Sequence, residues 1–290
     1  MKRSRELAQR LHALSVLSEA FDAVRSVAAS RFRGARAALE PYRLYRQALH
    51  EAVACAGVML PGIDAEAPRV LVCLGSDHGL CGSFNARVAE RAAEELAARP
   101  GPSIVVGRRL GRILARRGAP TDAVLEAPAN EADVARVMLR LSDEVMRAQG
   151  PEGLGGVEVV CARFGGIGSL DVRAEALLPL HLDVTRPSYP PTPWASEAEL
   201  TEVAVRELLF VELQSFLLES LASEHSARLL ATQSASAWLD EHREQARRRL
   251  ASAEREATTQ ETLELATVAG RSGAGIRRRA GPRAPGRAAR

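Results

Sequence analysis

Apolar side chains near the start of the chain recur at steps of three and four residues that average close to 3.5, the period of a coiled-coil seam. The spacing predicts one long helix from Arg5 to about Met59. Pro41 is expected to kink this helix because it removes a main-chain hydrogen bond. The breaker sequence LPG at residues 60–62 is expected to end it. The predicted seam consists of Leu7, Leu11, Leu14, Leu17, Phe21, Val24 and Val27 with Ala28.

A second long helix is predicted in the last third of the chain. Ser196 and Glu199 form a capping-box pattern, in which each side chain accepts a hydrogen bond from a free amide at the start of a helix. From there to about Ala269 no proline interrupts the pattern, and apolar residues as far as Leu263 supply a seam. A lone helix of this length would expose its apolar stripe. The two long helices are therefore expected to pack on each other or on partner proteins.

Strand and helix patterns alternate between Pro68 and Tyr189. Short apolar runs predict strands at residues 70–74, 103–106, 157–161 and 172–178, and amphipathic segments predict helices at 85–99, around Leu110 and at 130–149. Such alternation is typical of an α/β layer with a mainly parallel sheet. The predicted fold class is therefore α/β, with a long antiparallel coiled coil of N- and C-terminal helices and an inserted α/β domain. The pairing is antiparallel because the insert holds the end of the first helix near the start of the second.

Four parts are predicted along the chain. Residues 1–60 form the N-terminal coiled-coil helix, 67–195 the inserted α/β domain, 196–270 the C-terminal coiled-coil helix and 271–290 an arginine-rich tail. The tail is rich in glycine, proline and arginine. It is expected to be disordered when free because it has little apolar surface to bury.

The positive net charge belongs to the tail. The whole chain has a formal net charge of +3, but residues 271–290 carry seven arginines and no acidic residue. The other 270 residues hold 32 basic against 36 acidic groups, a net charge of −4. A body with this balance differs from a nucleic-acid-binding domain, which usually presents a basic face.

The cysteines and the hydropathy of the sequence indicate the cellular compartment of the chain. The four cysteines form no CxxC pair and have no histidine partners at metal-ligand spacing, so we predict no metal site and a reduced, cytosolic protein. The N-terminal sequence MKRSR leads directly into the helical pattern, without the apolar core of a signal peptide. No stretch approaches the roughly 20 apolar residues that span a bilayer. Any membrane association is expected to come through a partner.

The sequence GSDHGLCGSFN at residues 75–85 is a loop between a predicted strand and a predicted helix. Phosphate-binding loops occupy such positions, but no Gly-Lys-Ser or Gly-Lys-Thr follows and the glycines do not match GxGxxG. These glycines are instead expected to permit a tight turn through positive φ angles. His78 and Cys81 have the residue types of a base and a nucleophile, yet no orienting group accompanies them. We predict no catalytic residue and no cofactor.

Three segments together resemble one known family. They are VAASR at residues 27–31, the loop GSDHGLCGSFN, and LASE at residues 221–224 with Arg228 and, farther along, TQE at residues 259–261. Their order and spacing are similar to those of the gamma subunit of F-type rotary ATP synthases. The resemblance implies a non-catalytic rotor shaft that couples rotation, driven by ion flow through a membrane c-ring, to ATP synthesis or hydrolysis. It also implies a Rossmann-like inserted domain in which Gly79, Cys81 and Gly82 belong to a structural loop.

The resemblance also implies contact residues and partners. The residues expected to face the catalytic hexamer are Arg228, Thr259, Gln260, Glu261 and Glu264. The implied partners are the alpha and beta subunits of that hexamer, the epsilon subunit and the membrane c-ring, without nucleic acid. The implied location is the cytoplasmic face of the bacterial plasma membrane, peripheral through the complex. Without the resemblance, these polar residues would be interpreted as a solvated helix face with charge pairs.

The chain also departs from the family pattern. His78 stands where the family usually has arginine, Asp22 where it has lysine, and Trp238 where a small polar residue is common. These departures indicate a divergent branch. Two other classes remain open from the residues: a coiled-coil adaptor whose arginine-rich tail binds nucleic acid or anionic lipid, and a nucleotide-using α/β enzyme.

Overall fold

The computed structural model describes residues 2–56, 58, 68–149, 156–166, 168–178 and 195–278. For residues 2, 149, 197 and 268–278 it describes the main chain alone. Within these ranges the chain forms five α-helices and five β-strands, with the strands and three shorter helices placed between two long helices. The predicted order of helix, α/β insert and helix is confirmed.

Helix α1 (Lys2–Cys55) continues across Pro41 without a break. Met59 and residues 60–62, where the sequence predicts the end of this helix, lie outside the described residues. No helix in the described part of the chain is both long and apolar enough to cross a membrane.

The predicted seam of α1 is correct at some positions and wrong at others. Leu14 and Ala28 are buried as predicted, but Leu17 and Val27 are 48% and 50% exposed, and Ser18, which was not predicted, is buried next to Leu17. A straight α-helix repeats every 3.6 residues and therefore drifts away from a 3.5-residue pattern. The sequence period locates the seam but not each buried side chain.

Helix α5 (Glu197–Arg278) begins with the predicted capping box. The Ser196 amide donates to a Glu199 carboxylate oxygen at 2.9 Å, and the Glu199 amide donates to the Ser196 hydroxyl at 3.3 Å. The helix extends into the segment that the sequence predicts to be a disordered tail, and residues 279–290 lie outside the described residues.

The chain divides into two compact units, Phe21–Ala235 and Met1–Ala20 with Ser236–Arg290. In the second of these, Arg243 donates to the Ser18 hydroxyl at 3.3 Å, and an ion pair of 3.9 Å joins Arg3 to Glu256. The later position on α1 thus meets the earlier position on α5. The four-part division predicted from the sequence follows the element order rather than these units, and its boundaries stay a prediction.

The unit Phe21–Ala235 has its own contacts between α1 and α5. Gln214 donates to the Tyr42 hydroxyl, and Glu212 accepts from Arg46 at 2.5 Å and lies 3.1 Å from His50 Nε2. Here too, positions farther along α1 meet earlier positions on α5. Within each unit the two long helices are antiparallel, as predicted.

A five-stranded sheet lies in the unit Phe21–Ala235, with the strand order β3-β2-β1-β4-β5. Strands β1 (Val70–Leu74), β2 (Ser103–Val106), β3 (Ala123–Leu125) and β4 (Val157–Arg163) are parallel, and β5 (Asp171–Leu178) is antiparallel to β4. The mainly parallel sheet is therefore confirmed. Strand β3 was not predicted, because three residues are too short to show an alternation.

Helices cover both faces of this sheet. The shorter helices are α2 (Phe84–Ala98), α3 (Arg108–Arg116) and α4 (Val134–Gln149), the last preceded by a 3₁₀ turn at Glu131–Asp133. On one face, Leu71 and Cys73 of β1 share a buried apolar cluster with residues of α2 and α3. On the other face, Val70, Val72 and Leu74 share a cluster with residues of α1, α4 and α5. Alternate side chains of a strand point to opposite faces, so an uninterrupted apolar strand suits a sheet covered on both sides.

Candidate functional site

Arg228 and Glu224 form a buried ion pair on α5. The Arg228 Nη2 donates to Glu224 Oε1 at 2.6 Å, and the two residues are only 7% and 6% exposed. Arg228 Nη1 lies 2.9 Å from His225 Nδ1, and Arg228 Nε donates to the carbonyl oxygen of Gly79 at 3.2 Å. All three guanidinium nitrogens of Arg228 therefore have partners inside the chain. The interpretation of Arg228 as part of a solvated helix face is wrong.

Burial controls the ionisation of this cluster. Desolvation raises the pKa of Glu224, while the positive charges of Arg228 and Arg31 act to lower it and the negative charge of Asp77 acts to raise it. Desolvation, assisted by Arg228 and Arg31, lowers the pKa of His225 to about 3. His225 is therefore neutral at pH 7 and accepts the Arg228 hydrogen bond through Nδ1. Its remaining proton is then on Nε2, which is buried and has no partner among the described residues.

Parts of the three segments that carry the family resemblance, without TQE at residues 259–261, contribute to this cluster. Arg31 comes from the VAASR segment of α1, Asp77 and Gly79 come from the loop after β1, and Glu224 and Arg228 come from α5. All of them belong to the unit Phe21–Ala235. Segments far apart in sequence thus supply the charges and the acceptor of one buried site.

The loop between β1 and α2 is held by side-chain hydrogen bonds to both neighbouring helices. Asn85 at the start of α2 accepts from the Ser76 amide at 2.9 Å, and its Nδ2 donates to the Ser76 hydroxyl at 2.7 Å and to the Cys81 sulfur at 3.3 Å. Asp77 accepts from the Arg108 amide at 2.7 Å, at the first residue of α3. The loop therefore connects α2, α3 and, through Gly79, α5.

The predicted positive φ angles occur at only one of the three glycines. Gly82 has a φ of 56°, but the expectation is wrong for Gly75 and Gly79, and Leu80 has the positive φ of 60° instead. Gly75 is required by space, because a Cβ there would lie 2.5 Å from the Cβ of Leu110. At Gly79 a Cβ would lie 3.1 Å from Arg109 Nη1.

Cys81 and His78 do not form the pair that a cysteine nucleophile needs. The Cys81 sulfur is buried and lies 3.8 Å from the main-chain carbonyl oxygen of His78, and the His78 residue is exposed. The sulfur contacts the Asn85 amide rather than an imidazole. Cys81 therefore takes part in the hydrogen bonds that hold the turn.

The other predicted contact residues lie near the C-terminal end of the described side chains and are exposed. They are Thr259, Gln260, Glu261 and Glu264. The Thr259 hydroxyl donates to the Arg255 carbonyl oxygen at 2.9 Å, and Gln260 Nε2 donates to Glu264 at 3.5 Å, so these bonds stay within α5. Leu263 is 60% exposed, so within this chain it does not lie in a buried seam.

A family model described as ATP synthase matches residues 3–270. The ATP synthase gamma chain of Flavobacterium psychrophilum is 26% identical over 285 residues, which cover 91% of this chain and 97% of that one. The gamma chain of Desulforamulus reducens is 28% identical over 251 residues, 81% of this chain and 87% of that one. The chain belongs to the ATP synthase gamma family. It is a gamma subunit, the non-catalytic central-stalk subunit of an F-type ATP synthase.

Solved structures show the same fold as this gamma-family chain. A chain of the Euglena gracilis mitochondrial ATP synthase assembly of OSCP, F1 and c-ring has a TM-score of 0.71 at 13% identity and covers 98% of this chain and 99% of its own. A chain of the Tetrahymena thermophila mitochondrial ATP synthase central stalk and c-ring has a TM-score of 0.55 at 23% identity, covering 74% and 99%. The family membership decides against the adaptor and enzyme alternatives.

Sequence reasoning on this gamma-family chain missed the roles of Glu224, His225 and Asp77. The four-residue spacing of Glu224 and Arg228 was a usable signal, because it predicts an ion pair along one helix face. Nothing in that spacing distinguishes a buried pair from an exposed one. The charge neighbours Asp77 and Arg31 become visible only when the fold brings their segments together.

Proposed function

We propose that this gamma subunit is the rotor shaft that couples rotation, driven by ion flow through the membrane c-ring, to ATP synthesis or hydrolysis in the catalytic hexamer. The observation that carries the proposal is the division of polar residues along α5. One group is engaged by the inserted domain, and another is exposed and bonded only along its own helix. A shaft needs both a fixed attachment and a free surface.

The free surface is Thr259, Gln260, Glu261 and Glu264, which we propose to face loops of the alpha and beta subunits. Polar side chains suit contacts that form and break in every turn, because water satisfies them between contacts. The shaft can change the nucleotide affinity of a catalytic site only if it interacts more favourably with one conformation of that site than with another. A tenfold change in nucleotide affinity needs a difference of about 1.4 kcal/mol between these two interactions. Contact of Arg228 with the hexamer stays a prediction, and any such contact competes with its three internal bonds.

We also propose that the subunit is attached to the epsilon subunit and the c-ring, at the cytoplasmic face of a bacterial plasma membrane. The bacterial gamma chains cited above support a complex at that membrane. Membrane association then comes through the partners, in agreement with the hydropathy of the described helices.

The test replaces Thr259, Gln260 and Glu261 together by alanine in the assembled complex. We expect ATP-driven ion pumping into vesicles to fall by about tenfold, which corresponds to about 1.4 kcal/mol of barrier, while subunit composition is unchanged. The matched control replaces Arg87, Glu90 and Glu94, which are exposed on α2. Normal pumping by the first triple variant, with its subunits all present, would refute the proposed contact surface.

A further inference from the structure

Arg228 contacts the loop after β1 through a charged group, just as Glu219 of α5 forms an ion pair of 2.8 Å with Arg163 of β4. Two serine hydroxyls of α5 donate to carbonyl oxygens at strand positions: Ser220 to Leu74 at 3.4 Å and Ser223 to Ala162 at 3.1 Å. Arg228 donates to Gly79 through a charged group, and such hydrogen bonds are roughly twice as strong as neutral ones. Arg228 is thus a stronger directional contact than either serine, and unlike the Arg163–Glu219 pair it reaches the loop after β1.

Arg228 is itself fixed in place. Glu224 binds one terminal nitrogen at 2.6 Å and His225 binds the other at 2.9 Å, which leaves Nε aimed at Gly79. A guanidinium is planar, so two fixed nitrogens determine the direction of the third. Glu224 and His225 therefore set the position at which the loop is held.

The apolar contacts around this site do not set that position by themselves. Leu217 and Leu221 of α5 are buried in the cluster that covers one face of the sheet. Burial of apolar area is non-directional, so it favours contact without selecting one register between helix and sheet. A hydrogen bond from a rigid group does select a register.

We propose that Arg228 is a positioning residue that fastens the loop of residues 75–82 to α5, and through this loop makes the inserted sheet domain turn with the helix. The loop is bonded to α2 by Asn85 and to α3 by Asp77, so fixing the loop fixes both helices. This inference rests on the proposed shaft function. It adds that part of the torque passes through one internal hydrogen-bonded site.

The deciding variant is the double replacement Glu224→Leu with Arg228→Met, placed in the full complex. It removes both buried charges together, and such replacements are often neutral for stability. The bond to Gly79 is lost all the same. We expect hydrogen exchange at the Ser76 and Phe84 amides to become about tenfold faster, which is the effect of losing a hydrogen bond to a charged group. We also expect fewer ions pumped per ATP hydrolysed, at an unchanged thermal midpoint.

Two further variants keep the outcome interpretable. Arg228→Lys retains a positive charge beside Glu224 but has no second nitrogen that could bond to Gly79. This variant should therefore also accelerate hydrogen exchange in the loop. It serves as the test if the double variant does not fold. The control is Glu244→Leu with Arg248→Met, an exposed pair with the same spacing and a 3.0 Å contact. This control should leave loop exchange unchanged.

Loop exchange and pumping ratio both at wild-type values in the folded double variant would overturn the fastening role. Fast exchange with a normal pumping ratio would also overturn it, because the domain would then follow the helix without this bond. Failure of the shaft function gives a different result: the wild-type complex would not pump, although the loop of the double variant would still exchange faster.

Discussion

Helix α5 carries two polar regions in opposite environments. The region around Glu224 and Arg228 is buried, and its side chains bond to the loop after β1. The region from Thr259 to Glu264 is exposed, and its side chains bond to their own helix. The resemblance grouped both regions as one contact surface. The structure shows that the polar residues of the first region serve internal attachment, whereas those of the second make no bond outside their own helix among the described residues.

The largest difference between the two regions should appear when one charge is removed. Arg228→Met leaves the Glu224 carboxylate buried without its cation, and breaking a buried pair in this way costs about 3–5 kcal/mol. Urea denaturation of the purified chain, followed by circular dichroism, measures this loss. Arg248→Met breaks an exposed pair of the same spacing and should stay within about 0.5 kcal/mol of wild type. Equal losses in the two variants would remove the distinction.

The pH dependence of that loss sharpens the comparison. Because burial raises the pKa of Glu224, the stability that its protonated form contributes is present below the ordinary carboxyl pKa and is lost as the pH rises through the raised value. Without Arg228 the pKa of Glu224 rises further. The penalty of Arg228→Met should therefore shrink as the pH falls from 7 towards 4. A penalty that is constant with pH would mean that Glu224 does not carry the effect.

His225 should produce a smaller and opposite response. Its pKa is lowered to about 3 by desolvation, so its contribution to stability is present above the ordinary histidine pKa and is lost as the pH falls. Between pH 7.5 and 5 the imidazole of His225 gains a proton in the unfolded chain but not in the folded one. This difference should lower the free energy of unfolding by about 2 kcal/mol. His225→Asn keeps an acceptor for Arg228 and should abolish this part of the acid sensitivity. His78→Asn, at an exposed residue, serves as the control.

The smallest effect is expected in the exposed region. Thr259→Ala and Glu261→Ala should each change the unfolding free energy of the isolated chain by less than about 0.5 kcal/mol, because neither side chain is buried. Urea denaturation under the same conditions measures this. A loss of 2 kcal/mol or more, of the size discussed for buried groups, would show that this region is also engaged within the chain.

The sequence predicted the elements of this fold better than their surroundings. The capping box at Ser196, the apolar strands and the order of the elements follow from local patterns, because those patterns act within a few residues. Strand β3 was not predicted because it has only three residues and because Val124 at its centre is exposed. The choice of Ser18 over Leu17 in the seam depends on how a helix drifts against its partner, which no short window records.

The candidate site was predictable only in part. Resemblance identified Arg228, but an ion pair four residues apart has the same sequence signature on a surface and in a core. Burial of Arg228 depends on the loop that carries Gly79, which lies 149 positions earlier in the chain. The left-handed conformation at Leu80 was equally hidden, because glycine is the residue that usually marks it. Such features arise from packing between distant segments.

The carboxamide of Asn85 has a consequence for the chemical ageing of the molecule. Its oxygen faces an N–H of Ser76, while its nitrogen faces an oxygen and the sulfur of Cys81. Deamidation would exchange that nitrogen for an oxygen and leave the outline of the side chain almost unchanged. The new oxygen, which carries part of a negative charge, would then face the Ser76 hydroxyl oxygen and the Cys81 sulfur, which accept from the amide nitrogen of Asn85. Slow hydrolysis of the Asn85 side chain would therefore loosen the turn after β1, although the shape of the side chain would hardly change.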